Sequence, residues 1–217
     1  TEKLREVEGI LVSRETVRRL RLELKKGAKR KRRPPKHRSR RLREARIGAL
    51  VQIDGSPHDW LEGRGPEMSL IGGVADATGK VLAGIFRLQE DLHGYATLFH
   101  RMFERYGLPM AFYGDGTGIL VRNDDHWTLE EELAGRQNPT HLGQALVDLG
   151  VDYIRARSPQ AKGRIENRWG TFQDRLVAEL RLRGISTLEQ ADAYLPEFLE
   201  DFNPRFAVAP REAAEAW

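Results

Sequence analysis

Cysteine is absent from all 217 residues, which excludes disulfides and thiolate zinc sites and suits a reducing cytoplasm. No apolar run approaches the roughly 20 residues needed to cross a bilayer, and no secretory signal is visible, so no membrane partner is expected. Aromatic residues are missing from residues 25–46, which argues against base stacking by that stretch. The chain starts at Thr1, inside patterned sequence, and reads as a fragment whose own N-terminus lies elsewhere.

Acidic residues are scarce at the front and abundant behind. Residues 1–46 hold 19 Lys/Arg against 6 Asp/Glu, a balance of +13. Residues 47–217 hold 17 against 26, a balance of −9, and together these give the net charge of +4. A polybasic arm on an acidic body calls for a polyanionic partner. At this length there is room for one good core and a smaller appendage.

The arm divides in two. Residues 1–9 read as a short amphipathic helix ended by Gly9. Ser13 is a natural N-cap for a second helix of about residues 13–25, on which Val17, Leu20 and Leu24 form one apolar stripe. Arg14, Arg18, Arg19 and Arg21 sit on that second helix, so a DNA-binding helix-turn-helix is expected over residues 1–25, against the plainer alternative of a helix pair with a solvated charged face. Residues 26–46 read as a basic linker. With Lys29, Arg30, Lys31, Arg32 and Arg33 in a row and Pro34-Pro35 beyond, this linker is expected to track phosphates without reading sequence.

In the body, strands are expected at residues 49–53, 68–75, 81–88, 110–113 and 151–155, with a turn at Asp76-Ala77-Thr78-Gly79. Helices are expected at residues 95–106, about 140–149, and from Pro159 onward, with a long polar stretch between Asp115 and the second of them. Three strands, a helix, a strand, a helix, a strand and a helix is the order of an α/β, ribonuclease-H-like domain. Its five-stranded mixed sheet carries flanking helices, here placed at residues 47–185 with a helical extension at 186–217.

Three acids punctuate this body. Asp54 closes the first apolar run, Asp115 closes the fourth strand, and Glu166 lies early in the last long helix, beside its apolar stripe Ile165, Trp169, Phe172, Leu176 and Leu180. Taken singly they are weak signals, and Glu166 alone also fits a surface acid paired with Lys162. Together they supply the oxygen ligands that hard cations such as Mg²⁺ prefer in two-metal phosphoryl transfer. Arg164, Arg168 and Arg175 share the opposite flank of the helix, facing possible phosphates. Asp124 or Asp125 competes with Asp115 for the second position. His58-Asp59-Trp60 reads first as a loop anchor, Trp169 as core and Asp76 as a turn former. The run Gly114-Asp115-Gly116-Thr117-Gly118 lacks the Lys of a P-loop, so ATP is not an expected ligand.

The strings QIDGSPHDWLEGRGP, LPMAFYGDG and SPQAKGRIENRWGTFQDRLV resemble the integrase-core transposases of bacterial insertion sequences, most nearly the ISNCY-type group. Pro159, Lys162, Gly163 and Glu166 match the motif around the third acid, and FNPRFAVAPREA resembles the segment that follows the core. The resemblance implies a DDE triad of Asp54, Asp115 and Glu166 holding two Mg²⁺ (or Mn²⁺) ions. It implies an enzyme that cleaves transposon ends and joins the 3′-hydroxyls to target DNA. It further implies DNA as partner (terminal repeats and target), a homo-oligomer of at least a dimer, and a bacterial, nucleoid-associated protein. DNA contacts are expected at Arg14, Arg18, Arg19, Lys29–Arg33, Lys162, Arg164 and Arg168. The spacing from Asp115 to Glu166 exceeds that of compact family members, so residues 116–141 are expected to be an insertion. A non-catalytic DNA-binding protein and a plain nuclease remain the competing readings.

Overall fold

The computed structural model describes residues 1–24, 41–122, 124–156 and 163–217. Residues 26–40 of the expected linker, with Lys29, Arg30, Lys31, Arg32 and Arg33, and also Pro159 and Lys162, lie outside the described residues. The chain forms two compact units, Thr1–Arg40 and Arg41–Trp217.

In the first unit, α1 (Glu2–Glu8) ends on Gly9 at φ 65°, and α2 (Arg14–Glu23) begins at Ser13. The Ser13 hydroxyl accepts from the Thr16 backbone N–H at 3.0 Å, satisfying a donor the helix itself leaves open. Neither helix buries a residue in this unit. Arg18 is paired with Glu15 at 2.6 Å on the exposed face of α2.

The second unit is built on a five-stranded sheet of order β3-β2-β1-β4-β5. The strands are β1 (Val51–His58), β2 (Met68–Ala75), β3 (Val81–Arg87), β4 (Ala111–Gly114) and β5 (Asp152–Arg155). β1, β2 and β3 form an antiparallel meander, while β1–β4 and β4–β5 are parallel. The helices α3 (Leu92–Tyr106), α5 (His141–Asp148), α6 (Gly163–Leu182) and α7 (Leu188–Phe206) surround it. This is the mixed sheet expected from the order of elements.

Alternation along the strands sends side chains to two cores. Val51, Ile53 and Phe112 pack with Tyr95, Leu98 and Phe99 of α3 on one face. Leu70, Val74 and Phe86 pack with Trp169, Phe172 and Phe202 of α6 and α7 on the other. Two side chains of α7 reach strand β3: Asn203 bonds both the N–H and the C=O of Val81 at 2.9 Å, and Asp192 accepts from the Phe86 N–H at 3.0 Å.

Two elements differ from expectation in ways that matter. β1 runs on through Asp54 to His58, because every residue to His58 stays paired with β2. Asp54 is therefore mid-strand, not at a strand end. The polar stretch after Asp115 contains a further helix, α4 (Leu129–Ala134), held by a Thr128/Glu131 capping box. Buried Glu131 also accepts from the Asn138 N–H and pairs with Arg122, which folds the insertion back on itself.

Candidate active site on the central strands

Asp54 has its side chain on the α6 face of the sheet, as three observations agree. Its neighbours two residues away, Gln52 and Ser56, both bond α6: the Ile165 N–H donates to Gln52 Oε1 at 3.2 Å and Gln173 Nε2 to Ser56 Oγ at 3.3 Å. Its cross-strand partner Gly72 faces Trp169, whose ring lies where a side chain at 72 would go. Ile53, one residue back, belongs to the opposite core.

Asp115 follows β4 directly. The parallel register pairs Val51 with Phe112 and Gln52 with Tyr113, and Asp54 and Asp115 each lie two residues beyond the second pair. Adjacent strands lie about 5 Å apart, so the backbones leading to these two acids run side by side at the C-terminal end of a parallel pair. Two tyrosines sense both charges. Burial pushes the Tyr95 phenol far above its ordinary range, Glu90 adds to this by charge and hydrogen bond, and Asp115 and Asp54 add further. Burial also raises Tyr153, followed by the charge of Asp115, with Asp54 contributing as well. The Tyr153 hydroxyl donates to the Asp115 carbonyl, which fixes the backbone at that acid.

Glu166 is exposed in the first turn of α6. Seven residues on, and so only about 20° around the helix, Gln173 contacts Ser56. From Ile165 to Gln173 the helix advances about 12 Å, close to the roughly 13 Å between Gln52 and Ser56 on β1. The helix thus runs alongside β1 with its Glu166 edge turned to the strand that bears Asp54. Trp169 is buried one turn from Glu166, as expected of a core residue, and its Nε1 has no hydrogen-bond partner among the described residues.

Other expected residues are placed as follows. Trp60 is fully buried and donates to the Ser56 carbonyl at 3.1 Å, while Asp59 accepts from the Gly63 N–H, so this segment anchors a loop. Asp124 is held by Arg122 within the insertion. Arg164 bonds the buried carboxylate of Asp76 and the Arg41 carbonyl. Arg168 is half-buried and donates to the Phe206 carbonyl at 2.7 Å, and burial lowers its pKa. Both arginines turn their guanidinium groups into the protein rather than to open solvent.

Sequence reading missed three contributors. Glu90 fills the space over Gly55, the residue after Asp54 and on the opposite face of β1, and it accepts from Tyr95 at 2.8 Å. A glycine directly after the first acid was the available signal of close approach. Asp76 is fully buried and collects several donors, which a turn position does not reveal. Gln52 is fully buried between Asp76 and α6, inside what looked like an ordinary apolar run.

The donor set suits a hard divalent cation, since Asp54 and Asp115 offer carboxylate oxygens and the chain has no cysteine thiolate. Among the described residues no three Asp, Glu or His side chains stand close enough to hold one ion together. Asp54 and Asp115 carry the oxygen donors that such an ion takes, and Glu166 lies in the first turn of α6.

No family model matches the chain. It is 39% identical over 209 residues to "Putative transposase y4bF" of Sinorhizobium fredii, covering 96% of this chain and 44% of that protein. It is 32% identical over 174 residues to "Transposase for insertion sequence IS1202" of Streptococcus pneumoniae, covering 80% and 36%. The chain therefore spans less than half the length of these curated relatives. Among solved structures, a chain of the simian T-cell lymphotropic virus intasome in complex with PP2A regulatory subunit B56 gamma aligns with TM-score 0.56 at 14% identity. That alignment covers 84% of this chain and 58% of the other. The HTLV-2 integrase catalytic core domain in complex with magnesium, in its trimeric form, aligns with TM-score 0.53 at 14% identity, covering 74% and 90%. The shared fold is the ribonuclease-H-like integrase core.

Proposed function

We propose that this chain, which belongs by sequence with the transposases of bacterial insertion sequences, carries the catalytic core of a DNA transposase that cuts element ends and joins their 3′-hydroxyls to target DNA. The observation that supports this reading is the parallel pairing of β1, which carries Asp54, with β4, which leads into Asp115, while α6, which carries Glu166, is bonded to β1 through Gln52 and Ser56. A metal-assisted phosphodiester transfer needs a few carboxylates around the scissile phosphate, and these three acids are the candidates to supply them.

Asp54, Asp115 and Glu166 are the residues that would hold divalent ions, Mg²⁺ or Mn²⁺. When bound, such ions supply Lewis-acid stabilisation of the charge that builds on the transferring phosphate and its leaving oxygen. The chain's own part is to hold the acids in place. Tyr153 holds the backbone of Asp115, and the β2 ladder holds Asp54 in mid-strand. No covalent protein–DNA intermediate is required, so no Ser or Tyr serves as nucleophile. The basic α1–α2 unit, with Arg14, Arg18 and Arg19, suits phosphate contacts, as does the composition of residues 25–46. Juxtaposing two element ends calls for at least a dimer.

The test is a strand-transfer assay on labelled DNA carrying the ends of the element that encodes the protein, in Mg²⁺. Joined products support the reading. Cleavage without joining indicates a nuclease, and binding alone a DNA-docking protein. Asp54→Asn is expected to lower cleavage and joining at least a hundredfold while leaving DNA affinity within about twofold, and an active Asp54→Asn protein defeats the assignment.

A further inference from the structure

The Asp76 side chain has no exposed surface, yet it carries a carboxylate. Burying such a group requires partners, and it has four. Arg41 Nη2 donates to it at 2.6 Å, the Glu44 N–H at 2.9 Å and Gln52 Nε2 at 2.8 Å, and Arg164 Nη1 also donates. Gln52, equally buried, uses its other amide atom on α6, where Oε1 accepts from the Ile165 N–H. A carboxylate can only accept and a backbone N–H can only donate, so the Gln52 amide has a single satisfying orientation between them. Arg164 closes the circuit by donating its second nitrogen to the Arg41 carbonyl at 2.6 Å.

The two residues of α6 held in this way, Arg164 and Ile165, immediately precede Glu166. Asp54 gains its position from strand pairing, and the backbone of Asp115 is held by the Tyr153 hydroxyl just past β4. The third sits on a helix end, and the relay is what ties that end to β1, two residues from Asp54.

We infer that Gln52 and Asp76 are positioning residues, whose buried Asp76–Gln52–Ile165 relay, braced by Arg164, seats the first turn of α6 and so sets where Glu166 stands relative to Asp54. This rests on the transposase reading for its consequence, though not for the seating itself. The relay acts on one helix end, so its loss should change the metal requirement of the reaction without changing DNA affinity.

The test compares wild type with Gln52→Met, which fills the same space without polar atoms, and with Asp76→Asn, which keeps shape and removes the charge. Backbone hydrogen exchange at residues 163–166 is expected to quicken at least tenfold in both, with Leu176–Leu180 unchanged. The Mg²⁺ concentration for half-maximal strand transfer is expected to rise about tenfold, with the Kd for end DNA within twofold of wild type. Unchanged exchange at 163–166 overturns the relay whatever the DNA assay gives, and so does equal quickening along all of α6. Local quickening with an unaltered Mg²⁺ requirement overturns the positioning role. Local quickening in a protein whose wild type is inert on DNA supports the seating and instead sinks the transposase reading.

Discussion

Gly72 and Gly170 offer opposite responses to the same added methyl group. A Cβ at Gly72 would lie 2.6 Å from Trp169 Cη2, 3.3 Å from its Cζ2 and 3.2 Å from the Ala83 carbonyl oxygen. Carbon atoms rest about 3.5–4.0 Å apart, so the indole must retreat by about 1 Å. It is backed by Phe172 in edge contact at 5.6 Å, which leaves little room. Overpacking of this kind costs ~1–3 kcal/mol. For a domain of this size each kcal/mol moves Tm by about 2–4 °C. A cost of ~2 kcal/mol therefore lowers Tm by about 4–8 °C in Gly72→Ala. At Gly170, exposed on α6, the new Cβ meets nothing within 4 Å, and helix propensity alone favours Ala by up to ~1 kcal/mol. Gly170→Ala should raise Tm by about 2–3 °C. Calorimetry, with urea unfolding to confirm an unchanged m-value, measures both. The packing argument fails if Gly72→Ala melts within 1 °C of wild type, or if the two variants shift in the same direction.

Asp91 caps α3 through the Gly94 N–H and pairs with Arg87, whose hydrogen bond is the main cause holding its pKa below the ordinary carboxylate value. A carboxylate depressed by folding contributes stability above its unfolded pKa and loses it as pH falls through the folded one. The stability gap between wild type and Asp91→Asn should accordingly be full at pH 7 and shrink below about pH 4, as followed by urea titration at several pH values; a gap independent of pH refutes it. Thr187 anchors the capping box of α7, accepting from the Gln190 N–H at 3.2 Å. Thr187→Ala should cost ~0.5–2 kcal/mol by urea unfolding, whereas Thr187→Ser should cost less than half as much. Glu131→Gln weakens the Arg122 pair inside the insertion and should speed protease cleavage within residues 116–141, with global Tm moving by less than about 2 °C.

Element order and type were legible because the body's apolar periodicities are strong. The hairpin β2–β3 is an example, with Gly79 at φ 69° closing the turn where the sequence placed it. The apolar stripe of α6 was likewise readable, and Ile165, Trp169, Phe172, Leu176 and Leu180 are all buried. The reach of β1 was not, since residues 54–58 are polar or Pro and their strand state comes from pairing with β2. Helix α4 was hidden in a charged run, and its evidence is a capping box rather than periodicity. For the site, Asp54, Asp115 and Glu166 stood out from local patterns, although Asp54 proved to lie mid-strand, and the side chains around them did not stand out. Gln52, Asp76 and Glu90 gain meaning only from neighbours between 24 and 113 residues away or from the space over a glycine.

The interleaved strand order has a bearing on synthesis. Asp54 leaves the ribosome early and pairs at once with its hairpin neighbour, but the strand bearing Asp115 must come back across some sixty residues to lie beside it. A growing polypeptide truncated anywhere before that return leaves one side of β1 without its parallel partner. The sheet is complete only once β4 and β5 have been made, so its first three strands alone cannot close the domain.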